Sequence, residues 1–171
     1  TMLEAAVKAK AEGICHPVLL GNEDQIRHMA EEMDLKISDI EILNLRNDDQ
    51  TDRRRRYAEI LANKMQRKGY TLQEAIDKMY ERNYFGMMMV ETGEADAFIT
   101  GLYTKYSNTI KVANEVIGIR EGYNHFATMH LVNSKKGIYF IADTLINRHP
   151  DEEALEDIAR LAASTVRFFN R

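Results

Sequence analysis

Met87, Met88, Met89 and Val90 form an unbroken apolar run, too thick for an exposed helix. The run predicts a helix buried all round, and Gly93 supplies the left-handed residue that stops it. Ala97, Phe98 and Ile99 follow as a predicted short buried strand, with Thr100 and Gly101 at its carboxyl end. Open α/β sheets put their ligand crevices at that end of a strand, and the residues beyond Gly101 are largely polar. Residues 100–111 are therefore expected to form a ligand loop.

Around this segment helices and strands alternate. Leu3, Ala6, Val7 and Ala9 suit the inner face of a helix that Gly13 ends, and residues 17–20 read as a short buried strand. A second helix over residues 24–33 and a second strand over 40–45 complete an order that predicts a parallel sheet flanked by helices. The first helix starts at Thr1 without a visible start signal, so the segment is expected to begin inside a domain. A long helix over residues 52–68 carries Tyr57, Ile60, Leu61 and Met65 on one stripe. Its four arginines, Arg53 to Arg56, spread around the whole circumference, which favours a solvated, salt-bridged helix start over an anion site. Thr71 and Glu74 form a capping box for the next helix, which runs to about Tyr80.

In the second half, residues 125–132 and 138–142 flank a Ser-Lys-Lys-Gly turn and predict a hairpin or neighbouring strands. Pro150 and Asp151 open a last helix in which Leu155, Ile158, Ala159, Ala162 and Val166 recur at helical spacing. The expected organisation is an α/β lobe over residues 1–117 and the beginning of a second α/β lobe over 118–171. A ligand is expected in the cleft between lobes.

The charge of -4 over 171 residues gives no basic field, so nucleic acid is not an expected partner. No stretch approaches the roughly 18 apolar residues of a spanning helix, and the first ten residues lack a signal-peptide layout, so the expectation is a cytoplasmic protein without a membrane partner. The single Cys15 is expected to be a packed residue rather than a nucleophile.

Most catalytic signatures are absent: no Walker loop, no G-x-G-x-x-G, no paired cysteines and no H-E-x-x-H. His125 and His130, read on one strand, would face opposite ways, which disfavours a shared metal. Asp96 and Asp143 each follow an alanine beside an apolar run, where a carboxylate either caps a turn or orients a ligand. No catalytic residue and no metal ligand is assigned.

From Arg67 onward the order of features resembles the phosphate acetyltransferase and butyryltransferase family. The matching pieces are R67-K68-G69-Y70-T71, Y84-F85-G86-M87-M88-M89-V90 with Gly93, A95-D96-A97-F98-I99-T100-G101, T109-I110-K111, and A142-D143 with Asn147 and Pro150. Y-F-G-M-M-M-V and Y106-S107-N108-T109 are most similar to the acetyltransferase-like module at the C-terminal end of bacterial NADP-dependent malic enzymes. Two departures from the active transferases accompany this: Lys111 stands where they usually carry arginine, and Thr144 where they commonly carry cysteine.

The resemblance implies the isocitrate and isopropylmalate dehydrogenase-like fold of these transferases. It also implies a site for acetyl-CoA or a related acyl-CoA and its phosphates, carried over to Arg67, Thr100, Gly101, Ser107, Thr109, Lys111 and Asp143. Bland readings stand beside these: Arg67 in a surface ion pair, Thr100 and Gly101 as a turn, Ser107 and Thr109 as helix caps, Lys111 as a solvated charge. The family's serine-rich loop is not in this chain, so the resemblance implies that the isolated segment is not an active enzyme. Further implications are a regulatory, oligomerising module and upstream malic enzyme domains that oxidise malate with NADP and Mg or Mn. The alternative implied is part of an active acetyl- or butyryltransferase.

Overall fold

The computed structural model describes residues 1–101 and 105–169. The chain divides into two compact units, Thr1–Ile117 and Gly118–Arg171.

The first unit opens with α1 (Met2–Ala11), β1 (Val18–Leu20), α2 (Glu23–Glu32) and β2 (Glu41–Leu43). The strands pair in parallel, Val18 opposite Glu41 and Leu20 opposite Leu43. A parallel pair needs a crossover, which α2 provides, and the Asn22 side chain caps it by accepting from Gln25 N at 2.9 Å. Leu3, Ala30, Ile37 and Ile40 bury against Val7, Leu19 and Ile26 between these elements. The helix start that seemed unsignalled is in fact a capping box: the Thr1 hydroxyl accepts from Glu4 N, and the Glu4 carboxylate accepts from the Thr1 backbone nitrogen.

Four helices follow: α3 (Thr51–Met65), α4 (Leu72–Lys78), α5 (Arg82–Glu91) and α6 (Tyr106–Val116). They enclose the main core, in which Tyr57, Leu61, Met79, Phe85, Met88 and Val116 are fully buried. The predicted methionine run is core, at 7%, 1% and 6% exposure for Met87, Met88 and Met89. Thr71 and Glu74 form the predicted capping box at the start of α4, and Gly93 takes a φ of 75° just beyond α5. Gly86 has a packing reason, since a Cβ there would lie 2.3 Å from the Phe98 ring.

Several expectations are corrected. The segment 97–99 is not a strand, because neither described ladder offers it a partner, and Ile99 is 79% exposed. Residues 106–111 belong to α6 rather than to a loop, and the part of the expected ligand loop at 102–104 lies outside the described residues. The long helix ends at Met65 and continues as one 3-10 turn, Gln66–Lys68, before Gly69 at φ 78°. Ile60 is 37% exposed, off the buried stripe, and Cys15 is exposed rather than packed.

Of the four arginines, Arg53 and Arg56 both pair with Glu94 beyond α5, and Arg55 pairs with Glu59, as a salt-bridged helix start predicts. Arg54 departs from that reading. It is buried, donates from Nη1 to the carbonyls of Leu45 and Asn47 at 2.5 and 2.8 Å and from Nη2 to Thr51 Oγ1 at 2.8 Å, and lies 4.7 Å over the Tyr80 ring. A planar fork reaches several acceptors that no single-point donor reaches.

The second unit holds β3 (Met129–Ser134), β4 (Gly137–Ala142) and α7 (Glu152–Phe169). The strands form the expected hairpin, antiparallel, from Met129 opposite Ala142 to Ser134 opposite Gly137. Asp151 Oδ1 accepts from Ala154 N at 2.9 Å and starts α7. Its buried face is Ala154, Asp157 and Ile158, while Leu155 and Ala159 of the predicted stripe are exposed. His125 precedes β3 in a loop, so the two-faces argument made for it and His130 does not apply.

Arg54→Ala is expected to destabilise the protein by roughly 3 kcal/mol, because it strands two carbonyls that the guanidinium satisfies. A urea titration followed by circular dichroism checks this, with Arg55→Ala expected to leave the midpoint nearly unchanged.

Candidate functional site

α6 carries three of the candidate residues at its start. Lys105 precedes it in extended backbone as the N-cap, so residues 106–109 form its first turn. Ser107 is exposed, Thr109 half-buried, and the Lys111 side chain 65% exposed. Ser107 and Lys111 are four residues apart and share one helix face. The exposed Thr100 hydroxyl donates to Asn83 Oδ1, 2.8 Å away on α5, and Gly101 is exposed at φ 136°. Arg67 lies exposed in the 3-10 turn after α3, with no ion pair to any described residue.

Below this exposed set lies a polar knot that sequence reasoning missed. Glu115, one turn beyond Lys111, is 7% exposed. Its Oε2 accepts from the Tyr84 hydroxyl and from the Tyr70 hydroxyl at 2.7 Å, and its Oε1 lies 3.9 Å from Lys111 Nζ. Lys78 Nζ donates to the Tyr84 hydroxyl at 3.1 Å and lies 5.2 and 4.6 Å over the rings of Tyr70 and Tyr84. Burial raises the Glu115 pKa, but the two phenols and then the charges of Lys78 and Lys111 outweigh it, so the carboxyl stays below its usual range. Burial and the carboxylate together push Tyr84 up and Tyr70 to about 12, so both remain phenols. One signal was available: Glu115 stands between Val112 and Val116, an acid on a core stripe.

The end of α6 is tied as firmly. Lys64 Nζ donates to Glu91 Oε1 at 2.7 Å, to the Val116 carbonyl, and to the Ile117 carbonyl at 3.1 Å. These are terminal carbonyls with no partner further along the helix.

In the second unit Asp143 is the centre of a turn. Its Oδ1 accepts from Thr128 N at 2.9 Å, from the Thr128 hydroxyl, and from Leu145 N at 3.3 Å; its Oδ2 accepts from Asn147 N and Nδ2 at 2.6 and 2.7 Å. Burial raises its pKa, yet the bonds from Thr128, Asn147 and Leu145 outweigh that and hold the carboxyl far below the usual range. Both oxygens are engaged, as the turn-capping reading of this Ala-Asp pair requires. Asp96, in the other pair, is exposed. Asp157 likewise accepts from Asn124 N at 2.9 Å, from His125 N and from the His125 ring, which lowers its pKa and fastens that loop to α7.

Among the described residues no three His, Cys, Asp or Glu side chains are placed to hold a metal ion. No described helix is long and apolar enough to cross a membrane.

The family model of phosphate acetyl/butaryl transferases matches residues 1–171. The chain belongs to that family. It is similar, at 33% identity over 98% of its length, to the NADP-dependent malic enzyme of Escherichia coli, of which it spans 22%. It is also 32% identical, over 96% of its length, to a phosphate acetyltransferase of Thermoanaerobacterium thermosaccharolyticum, of which it spans 51%. A phosphotransacetylase structure from Streptococcus pyogenes superposes with a TM-score of 0.84 at 26% identity, over 99% of this chain and 51% of that one. The chain thus spans about half the length of the transferases it matches and about a fifth of the malic enzyme.

The lowered pKa of Asp143 sets a sign. A carboxyl whose folded pKa lies below its unfolded value near 4 stabilises above that value and loses the contribution as pH falls through the folded pKa. Stability measured by thermal melting is therefore expected to fall steadily below about pH 4. Asp143→Asn should lower Tm at pH 7 and flatten that acid limb.

Proposed function

We propose that this chain is part of the acetyltransferase-like domain of an NADP-dependent malic enzyme, and that the domain binds acetyl-CoA as a regulatory ligand. The observation that carries the reading is the likeness to malic enzyme over nearly the whole chain, joined to a lysine at position 111. Acyl transfer from acetyl phosphate draws on positive groups fixed at the leaving phosphate, and a bidentate arginine serves that task better than a solvated ammonium. Lys111 is a point charge 65% exposed to solvent, suited to attracting an anionic ligand more than to clamping a leaving phosphate.

In this reading Lys111 and the first turn of α6 meet a phosphate of acetyl-CoA, helped by the positive end of the helix. Ser107 and Thr109 supply hydroxyls, Thr100 and Gly101 border the ligand, Arg67 adds long-range attraction, and Asp143 shapes its own turn. NADP, the divalent Mg or Mn, and malate decarboxylation to pyruvate belong to upstream domains. Copies of the protein assemble, for which exposed Ile138, Tyr139 and Ile141 on β4 offer apolar surface. A second reading, transfer of an acyl group between acyl phosphate and CoA, is favoured by the likeness to phosphate acetyltransferases.

The test is malate oxidation by the whole protein with and without acetyl-CoA. Inhibition by acetyl-CoA is expected, with the half-inhibiting concentration raised about tenfold in Lys111→Ala, the loss of about one charge-assisted contact. Formation of acetyl-CoA and inorganic phosphate from acetyl phosphate and coenzyme A, with no effect of acetyl-CoA on malate oxidation, would sink the regulatory reading in favour of the second.

A further inference from the structure

Lys111 has solvent on one side and a buried carboxylate on the other. Its side chain is largely exposed, yet its Nζ lies 3.9 Å from Oε1 of the buried Glu115. The two residues are four apart on α6 and share one helix face. Among the described residues Glu115 is the one carboxylate within ion-pair distance of Lys111.

The two oxygens of that carboxylate are used differently. Oε2 accepts from the Tyr70 hydroxyl at 2.7 Å and from the Tyr84 hydroxyl. Among the described residues Oε1 meets only Lys111. Lys78 is occupied elsewhere, donating to the Tyr84 hydroxyl at 3.1 Å and lying 5.2 and 4.6 Å over the Tyr70 and Tyr84 rings. One oxygen is therefore taken up by phenols, and the other is left to a lysine that also reaches solvent.

A shared acceptor does not by itself require a charge, since a glutamine amide oxygen accepts from the same two phenols. What the carboxylate adds is a negative charge that is fixed, beside a positive charge that can move. A pair with one buried member is screened less than a surface pair, so the pull on Lys111 persists at ordinary salt.

An anion arriving at Lys111 competes with that pull and meets the repulsion of Glu115 behind the lysine. We infer that Glu115 is an internal counter-ion of Lys111 that sets the affinity of this end of α6 for an anionic ligand, holding it below what the lysine alone would give. The inference rests on the proposed contact between Lys111 and a phosphate of acetyl-CoA. A regulatory ligand has to leave as well as arrive, and a fixed counter-ion shortens its stay.

Isothermal titration of the whole protein with acetyl-CoA tests this in the wild type, Glu115→Gln, Lys111→Ala and the double variant. Glu115→Gln is expected to tighten binding about fivefold, because the charge is lost while both phenols keep an acceptor. Lys111→Ala is expected to weaken binding, and in that background the effect of Glu115→Gln should shrink to about twofold or less. Tyr70→Phe acts in the opposite direction: with one donor removed, more of the carboxylate's charge is left to Lys111, and binding should weaken about twofold. Circular dichroism and the urea midpoint of each variant separate folding from affinity. A carboxylate that only holds the helices together would lower the midpoint in Glu115→Gln and leave binding unchanged or weaker, which overturns the inference. Unchanged or tighter binding in Tyr70→Phe overturns it as well, whether or not Glu115→Gln folds. If Lys111→Ala binds as the wild type does, the reading of Lys111 falls and the inference with it. If Lys111→Ala weakens binding and Glu115→Gln does not tighten it, the inference falls alone.

Discussion

The first unit depends on a buried carboxylate that keeps its charge. Taking Glu115 out of water costs several kcal/mol unless donors replace the lost hydration, and two phenols together with two ammonium groups do so. The donors come from different places in the chain: Tyr70 precedes α4, Lys78 ends it, Tyr84 opens α5 and Lys111 lies on α6 itself. Apolar contacts allow packed helices to slide, whereas a shared acceptor does not. The knot therefore sets the position of α6, and with it the exposed Ser107 and Lys111 and the half-buried Thr109 on the turns above.

What could be seen in advance divides along a physical line. Features made by near neighbours in sequence were legible: the Thr71 and Glu74 box, the Gly93 stop, the buried methionine run and the two-residue hairpin turn all form within a few positions. Features that need a distant partner were not. Ala97 to Ile99 has strand composition, but extended backbone becomes a strand only where another edge accepts it. Arg54 is one of four identical neighbours, and only the path of the chain through Leu45 and Asn47 singles it out for burial. The missed Thr1 box is the exception, a local signal overlooked at the edge of a pattern.

The candidate site shows the same division. The resemblance suggested an anion site near Lys111 in a ligand loop, and the helix start found at residues 106–111 makes that part a preformed turn instead. Asp143 illustrates the reverse. A carboxylate beside an apolar strand looks available for chemistry, yet donors from Thr128, Leu145 and Asn147 engage both of its oxygens. Charge that the fold uses internally cannot be told from charge offered outward until its partners are known.

Lys64 carries a consequence of its own. Its single ammonium holds the Glu91 carboxylate and the carbonyls of Val116 and Ile117, at the residues where the first unit ends. A helix end secured by several independent caps frays one bond at a time. The three attachments made by Lys64 cannot, because losing that one nitrogen's position releases all of them together, while Glu115 stays tied to Tyr70 and Tyr84. The tie between Glu91 and the last two carbonyls should therefore behave as a latch with two states, shut or open, rather than as a gradually loosening strand of rope.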